Sequence, residues 1–311
     1  MNILFIAPTD DIDYECDCVL HGVSEIDDVT VYTIHDRYFM YEGNKEEDLL
    51  KLYGMEFTLT NRISQNKKHI QTIEEAKQMV NQRFYDVIIY GSILRSNELL
   101  DEVVENYPRN RILMVEGEDY DLSYPTRKKI STKIIPSKGR RYRSIKQTES
   151  LLPKGLYFKR EICSDYADRM FSVSFAFPFK DMVTEVPKKT RELAFIIPGK
   201  LDTYIYMHEK DYYNGYKEAM WGKTTRKAGW DCMRHYEILA NGCIPYFPDI
   251  ESCPVNTMFN FPKNIIRETN RLYETKQYND ASYNYFAKYL LDYTRRYLTT
   301  KELAIYILSH I

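Results

Sequence analysis

No run of this 311-residue chain approaches the roughly 18 consecutive apolar residues of a membrane-spanning helix, so no membrane span is expected. Neither sign of charge is in excess, with 43 lysines and arginines against 45 aspartates and glutamates. Without a basic footprint over the whole chain, nucleic acid is not expected as a main partner. Cysteine is sparse and unframed. Cys16 and Cys18 stand too close for a usual zinc knuckle, and no second pair sits at ligand spacing. Histidines 21, 35, 69, 208, 235 and 310 are too scattered to nominate a zinc pair, so no metal is expected. Reduced thiols and a cytoplasmic location are the expectation. MNILFIAP carries no basic leader and reads as a first strand rather than a signal peptide. No Gly-x-Gly-x-x-Gly follows a strand-like run, which removes the dinucleotide fingerprint, and no Gly-x-Ser-x-Gly elbow occurs. Gly222-Lys223-Thr224 lacks the earlier glycine that a phosphate loop needs.

Tyrosine is plentiful, at 28 residues. A ring with a hydroxyl suits sugar or base stacking, and equally an amphipathic core. An AT-rich gene would enrich Tyr, Asn, Ile and Lys by codon bias alone. The length and apolar share fit two soluble domains.

Strand-like and helical runs alternate through the first half. Ile3–Ala7, Val29–Ile34, Tyr85–Tyr90 and Arg111–Val115 read as buried strands. Val19–Glu25, a Thr72-x-x-Glu75 capping box running to Phe84, and Asn97–Asn106 read as helices. Continuous apolar strands separated by helices predict an α/β fold with a parallel sheet covered on both faces. PTRKKISTKIIPSKGRRYRS (125–144) breaks the pattern, as a solvated loop or an anion-facing patch. A second α/β unit follows, so the domains are expected at 1–150 and 155–311. A strand is expected at Leu193–Ile197, and helices at Asp280–Tyr297 and Leu303–His310.

GWDCMRHYEILANGCIPYFPD (229–249) is the most informative stretch. Trp230 to Asn241 holds no Gly or Pro and ends at Asn-Gly, a helix with a left-handed cap. At about 100° per residue, Cys232, Met233, Tyr236, Leu239 and Ala240 share one arc. Asp231, Arg234, His235, Glu237 and Asn241 share the other, with Ile238 among them, so one face should pack and the other gather charge. Cys243–Phe247 is the next strand, and Pro245 makes it short or places it at an edge.

Arg234-His-Tyr-Glu237-Ile-Leu-Ala-Asn-Gly242-Cys-Ile-Pro245 resembles the donor-site signature of GT-B glycosyltransferases, nearest to the exostosin-like branch. The resemblance implies two Rossmann-like domains facing across a cleft, with the C-terminal helices bracing the first domain. It implies a hexosyl- or pentosyltransferase that takes a nucleotide-sugar donor and a glycan or other hydroxyl acceptor, needing no cofactor. Glu237 would accept hydrogen bonds from the donor ribose, since a carboxylate is acceptor-only with two oxygens. The diphosphate would meet a basic side chain, with Arg234, the run of Lys223, Arg226 and Lys227, or Lys159 and Arg160 as candidates, and His235 is expected on the donor side. Gly242 and Cys243 would bring backbone amides near the sugar or phosphates.

The acceptor side would lie in the first domain, whose loops at the carboxyl ends of parallel strands line the crevice. Asp10, Asp11, Asp13, Glu15, Asp17 and His21 cluster there. Asp13, Asp17 or His21 is the expected general base. A competing reading takes Asp119-Tyr-Asp121, after an apolar strand, as the Asp-x-Asp of a GT-A enzyme holding Mn or Mg. A non-catalytic nucleotide- or glycan-binding module is the third reading.

Overall fold

The computed structural model describes residues 1–9, 12–49, 52, 57–121, 146–162 and 168–311. The basic stretch 125–144 and the carboxylates Asp10 and Asp11 lie outside the described residues.

In the first half the strands are β1 (Asn2–Ile6), β2 (Thr30–Thr33), β3 (His69–Ile70), β4 (Val87–Tyr90) and β5 (Ile112–Glu116). They continue into β6 (Leu156–Lys159) and β7 (Phe171–Ser172). All seven pair in parallel in the order β3-β2-β1-β4-β5-β6-β7. Successive side chains point to opposite faces of a strand. Along β1, Ile3 and Phe5 therefore join one apolar cluster, while Leu4 and Ile6 join another on the far side. Both faces are covered, which is why these strands read as unbroken apolar runs.

The strand order reverses direction between β1 and β4, and the crevice at their carboxyl ends is where open α/β sheets bind ligands. Helix α1 (Tyr14–Ser24) starts there, with the Asp13 carboxylate accepting from the Cys16 N–H at 3.2 Å. Helix α2 (Ile73–Asn81) opens on the Thr72–Glu75 capping box, and α3 (Leu100–Asn106) follows β4.

The first sheet runs further along the chain than the composition shift near residue 125 implies. Leu156–Lys159 pairs with Leu113–Glu116 and is wholly buried, so the expected boundary at 150–155 falls inside this sheet. The Pro- and Lys-rich stretch reads as a linker, yet a strand of the same unit follows it.

The second sheet holds β8 (Arg191–Leu193), β9 (Ala219–Lys223) and β10 (Ile244–Tyr246), all parallel, in the order β10-β9-β8. The strand expected at Leu193–Ile197 therefore begins and ends earlier. β10 is an edge strand, where Pro245 and its missing donor are tolerated. Helices α4 (Glu209–Glu218), α5 (Met233–Ala240), α6 (Lys263–Thr275), α7 (Asp280–Tyr297) and α8 (Thr300–Leu308) complete this half. Gly242 turns the chain from α5 into β10 at φ +64°, and a Cβ there would meet Pro187 Cδ at 2.8 Å. Among the described residues, no helix is long and apolar enough to cross a membrane.

The chain then returns to the first unit. Phe177 N–H donates to the Leu298 carbonyl at 2.9 Å, and Thr300 N–H donates to the Phe177 carbonyl at 3.1 Å. This leads α8 onto α1, where His21 Nδ1 and Thr300 Oγ1 stand 2.8 Å apart. The two helices approach so closely that a Cβ on Gly22 would lie 2.0 Å from the Thr300 carbonyl oxygen. Backbone does not yield as a side chain does, so overpacking here should cost about 2–3 kcal/mol. Gly22→Ala is expected to lower the urea midpoint accordingly without changing the slope. An unchanged midpoint would show that the two helices are not in contact in solution.

Candidate functional site

A cavity of about 550 Å³ lies between the carboxyl ends of the first sheet and the amino-terminal end of α5. The first half supplies Asp13, Phe57, Arg95, the Gly117–Asp119 turn and Arg160. The second supplies Tyr204, Tyr206, Tyr212, Lys227 and the run Asp231 to Arg234, with Glu237 one turn further on.

Arg160 joins the two walls. It follows β6, is 2 % exposed, and donates to the Gly117 carbonyl at 2.6 Å and the Asp231 carbonyl at 2.7 Å. Its Nη2 also meets the Asp119 carboxylate. Burial opposes its charge, but Asp231, Glu161 and Asp119 outweigh that and hold the guanidinium charged. The neighbouring Glu161 accepts from the Trp230 N–H at 2.7 Å and the Asp231 N–H at 3.0 Å. Asp231 in turn accepts from the Phe175 N–H and the Tyr236 hydroxyl, each at 2.9 Å. The loop entering α5 is thus fixed from the first sheet before the helix begins.

Helix α5 is buried all round, not only on one arc as its pattern predicts. Its polar side chains divide by where they stand. Glu237 lines the cavity at 6 % exposure, with Oε1 accepting from Thr58 Oγ1 at 2.8 Å and Oε2 accepting from the Tyr212 hydroxyl. Burial raises its pKa, while those two hydrogen bonds and Arg234 work the other way. Arg234 donates to the Tyr204 hydroxyl at 3.0 Å and leans on that ring. Its Nε and Nη1 are buried with no hydrogen-bond partner. A buried donor left unmade is costly, and on a cation more so.

The remaining expected site residues divide in the same way. Lys227 lines the cavity, with Nζ over the Tyr204 ring. Lys223 and Arg226 do not line it; Arg226 lies against Trp230. Lys159 is buried on Glu116. His235 stands away from the cavity, its Nδ1 on Thr224 Oγ1 at 2.9 Å and its Nε2 on the Trp230 carbonyl at 2.9 Å. Its ring packs on Phe247. Gly242 and Cys243 sit at the opposite end of α5, and their N–H groups are spent on the Leu239 and Ile238 carbonyls. The part of this stretch that lines the cavity is the helix start, Asp231 to Arg234, with Glu237, not the Gly-Cys-Ile-Pro turn.

Of the three candidate bases, Asp13 alone lines the cavity. Ser92 Oγ donates to its Oδ2 at 2.7 Å, across the β1/β4 switch point. Asp17 is fully buried and takes Arg37 Nη2 at 2.7 Å. His21 faces Thr300, and burial lowers it to about 4. Spacing explains the division: α1 turns residues four and eight beyond its cap into the core. Asp119 lines the cavity but is engaged by Arg160, and Asp121 does not line it. Among the described residues, no three His, Cys, Asp or Glu side chains group to hold a metal ion.

Sequence reasoning assigns no role to Thr58 and misses Arg95 and the aromatic wall of Tyr204, Tyr206 and Tyr212. A chain with so many tyrosines offers no contrast by which to single them out.

Neither a family model nor a curated protein sequence matches the chain. Among solved structures, an alpha-glucosyltransferase in complex with UDP and a 13-mer DNA containing a HMU base is similar over 99 % of both chains. The identity is 10 % and the TM-score 0.46. Anabaena HepE in complex with UDP-glucose is similar over 99 % of this chain and 98 % of its own, at 11 % identity and TM-score 0.48. Such likeness assigns no residue roles here.

Burial lowers the His235 imidazole from 6.5 to about 3. The unfolded chain therefore takes the proton first, so this residue's contribution is complete above about 6.5 and is lost as pH falls below it. From pH 7 to pH 5 the stability advantage of the wild type over His235→Gln should shrink by about 2 kcal/mol. Paired urea titrations measure it, and a constant difference would mean that the imidazole already ionises in the folded chain.

Proposed function

We propose that the chain is a glycosyltransferase of the GT-B type, transferring a hexosyl or pentosyl group from a nucleotide-sugar to an acceptor hydroxyl without a metal. The observation that carries this reading is Arg234. A buried guanidinium with two unspent donors, at the first turn of a helix opening on a cavity, is a site for an anion. Lys227 adds a second cation on the same wall. A diphosphate fits that charge, and Glu237, one turn along the same helix, offers an acceptor-only group for the ribose diol.

In an inverting displacement the acceptor oxygen attacks the anomeric carbon while the carbon–oxygen bond to the diphosphate breaks. The bonding pair leaves with the diphosphate, where Arg234, Lys227 and the α5 amino end offset the growing charge. The acceptor proton passes to the Asp13 carboxylate, which Ser92 holds at the crevice. The acceptor is a glycan or other hydroxyl.

A thermal-shift screen with nucleoside diphosphates and their sugars tests the donor site without knowledge of the acceptor. A shift with one nucleotide is expected, surviving EDTA. Glu237→Gln should weaken that nucleotide about 10- to 100-fold, the loss of hydrogen bonds to a charged acceptor. Asp13→Asn should leave donor binding in place and reduce turnover at least 100-fold. A folded protein that shifts with no nucleotide would remove the reading and leave a module for some other anion. Activity abolished by EDTA and by Asp119→Ala would transfer it to the metal-dependent scheme.

A further inference from the structure

Both oxygens of Glu237 already hold hydroxyl groups. One comes from Tyr212, on the same half of the chain, and the other from Thr58, which reaches in from the first half. Two hydroxyls on the two oxygens of one carboxylate is the arrangement a vicinal diol would itself make.

Thr58 is an unusual residue to find there. It is fully buried and sits at φ +86°, a region that a β-branched residue adopts only at a cost. The surroundings over-determine it. Its N–H donates to Glu209 Oε1 at 2.5 Å, and its hydroxyl also meets the Tyr213 hydroxyl at 2.6 Å. Four residues on, Arg62 pairs with Asp181 at 2.5 Å and with Glu209 at 2.7 Å. Residues 57–62 therefore form a strap that crosses from the first half and is pinned to the second. Phe57, at its start, lies against Tyr212 with ring centroids 5.6 Å apart and closes that part of the cavity wall.

We propose that Thr58 stands in for one hydroxyl of the donor ribose, so that a nucleotide-sugar binds by exchange, with the strap releasing Glu237 as the diol takes its place. This rests on the nucleotide-site reading above and adds to it a competing group carried by the chain itself. With Glu237 only 6 % exposed, a diol reaches both oxygens only if one resident hydroxyl leaves. Thr58 is the one held at a strained backbone position and anchored through salt bridges that are partly exposed to water. Exchange of like for like costs little, and the strained φ is relieved on release. A ligand lacking the diol gains nothing from the exchange. Thr58 would thereby set which nucleotides are accepted.

The test uses the full chain and uridine, guanosine, adenosine and cytidine diphosphates, followed by the 2′,3′-dideoxy analogue of whichever binds. Thr58→Val keeps the shape and branching and removes the competitor. It should tighten the ribonucleotide about tenfold, the scale of one hydrogen bond to a charged group, and leave the dideoxy analogue unchanged. Thr58→Ser, which returns the hydroxyl, should bring the affinity back. In the wild type, amides of residues 57–62 should exchange with solvent at least tenfold faster with the ribonucleotide bound, and not with the dideoxy analogue. That readout stands even if Thr58→Val does not fold. Weaker binding by Thr58→Val, or strap amides that become more protected, would make Thr58 a residue that merely holds Glu237 in place and would overturn the exchange while leaving the nucleotide site standing. Failure of every nucleotide to bind the wild type would instead remove the site and the exchange together.

Discussion

The cavity depends on a single buried guanidinium. Arg160 follows strand β6 of one sheet, yet it donates to the Gly117 carbonyl and to the backbone of Asp231 just before helix α5. Burying such a group is costly unless every donor is used, and here carbonyls and carboxylates from both halves use it. The consequence is geometric. The start of α5 cannot move relative to the crevice of the first sheet without stranding a charge. A ligand spanning both walls would therefore meet a preformed site, while residues 57–62 are held by side chains at Thr58 and Arg62 and by backbone hydrogen bonds at Asn61 and Arg62.

Burial on every side of α5 has a related effect. A helix packed only on its apolar arc would leave its polar arc in water, where each group is satisfied cheaply. Here His235 is consumed by Thr224 and the Trp230 carbonyl, Asn241 by the Glu237 carbonyl, and Asp231 by Phe175 and Tyr236. What remains unspent is Nε and Nη1 of Arg234 and Oδ1 of Asn241, and of these two residues only Arg234 lines the cavity. Most polar residues of this stretch are thus structural, while Arg234 meets the cavity with hydrogen-bonding capacity that the fold leaves open.

Much of the fold was legible, because β1, β4 and β5 must be apolar on both faces and the capping box at Thr72 marks a helix start. The Asn241-Gly242 stop and the edge position of Pro245 were legible for the same local reason: backbone chemistry restricts which residues can stand there. The boundary between the units was not. A Pro- and Lys-rich interruption looks the same in sequence whether a new domain or the next strand follows. Within the site, sequence placed charges on one arc of α5 but could not tell Arg234, which opens on space, from His235, which the Phe247 ring covers. Facing depends on what packs from elsewhere in the chain. Thr58 could be assigned no role from sequence, since its role comes from a contact 179 residues away.

Arg234 and Glu237 occupy adjacent turns of the same helix but stand in opposite conditions. The cation has donors without partners, and the carboxylate has a partner on each oxygen. Had evolution of the fold sought stability alone, these two would be expected to pair, since each lies within reach of a turn and both are desolvated. Instead tyrosines stand around them, Tyr204 on the cation and Tyr212 on the anion, each a neutral group that can give up its hydrogen bond without leaving a bare charge behind. An arrangement that keeps a buried cation and a buried anion apart, each attended by neutral hydroxyls, costs stability when empty. On the proposed reading, a ligand that is anionic at one end and hydroxylated at the other offsets that cost.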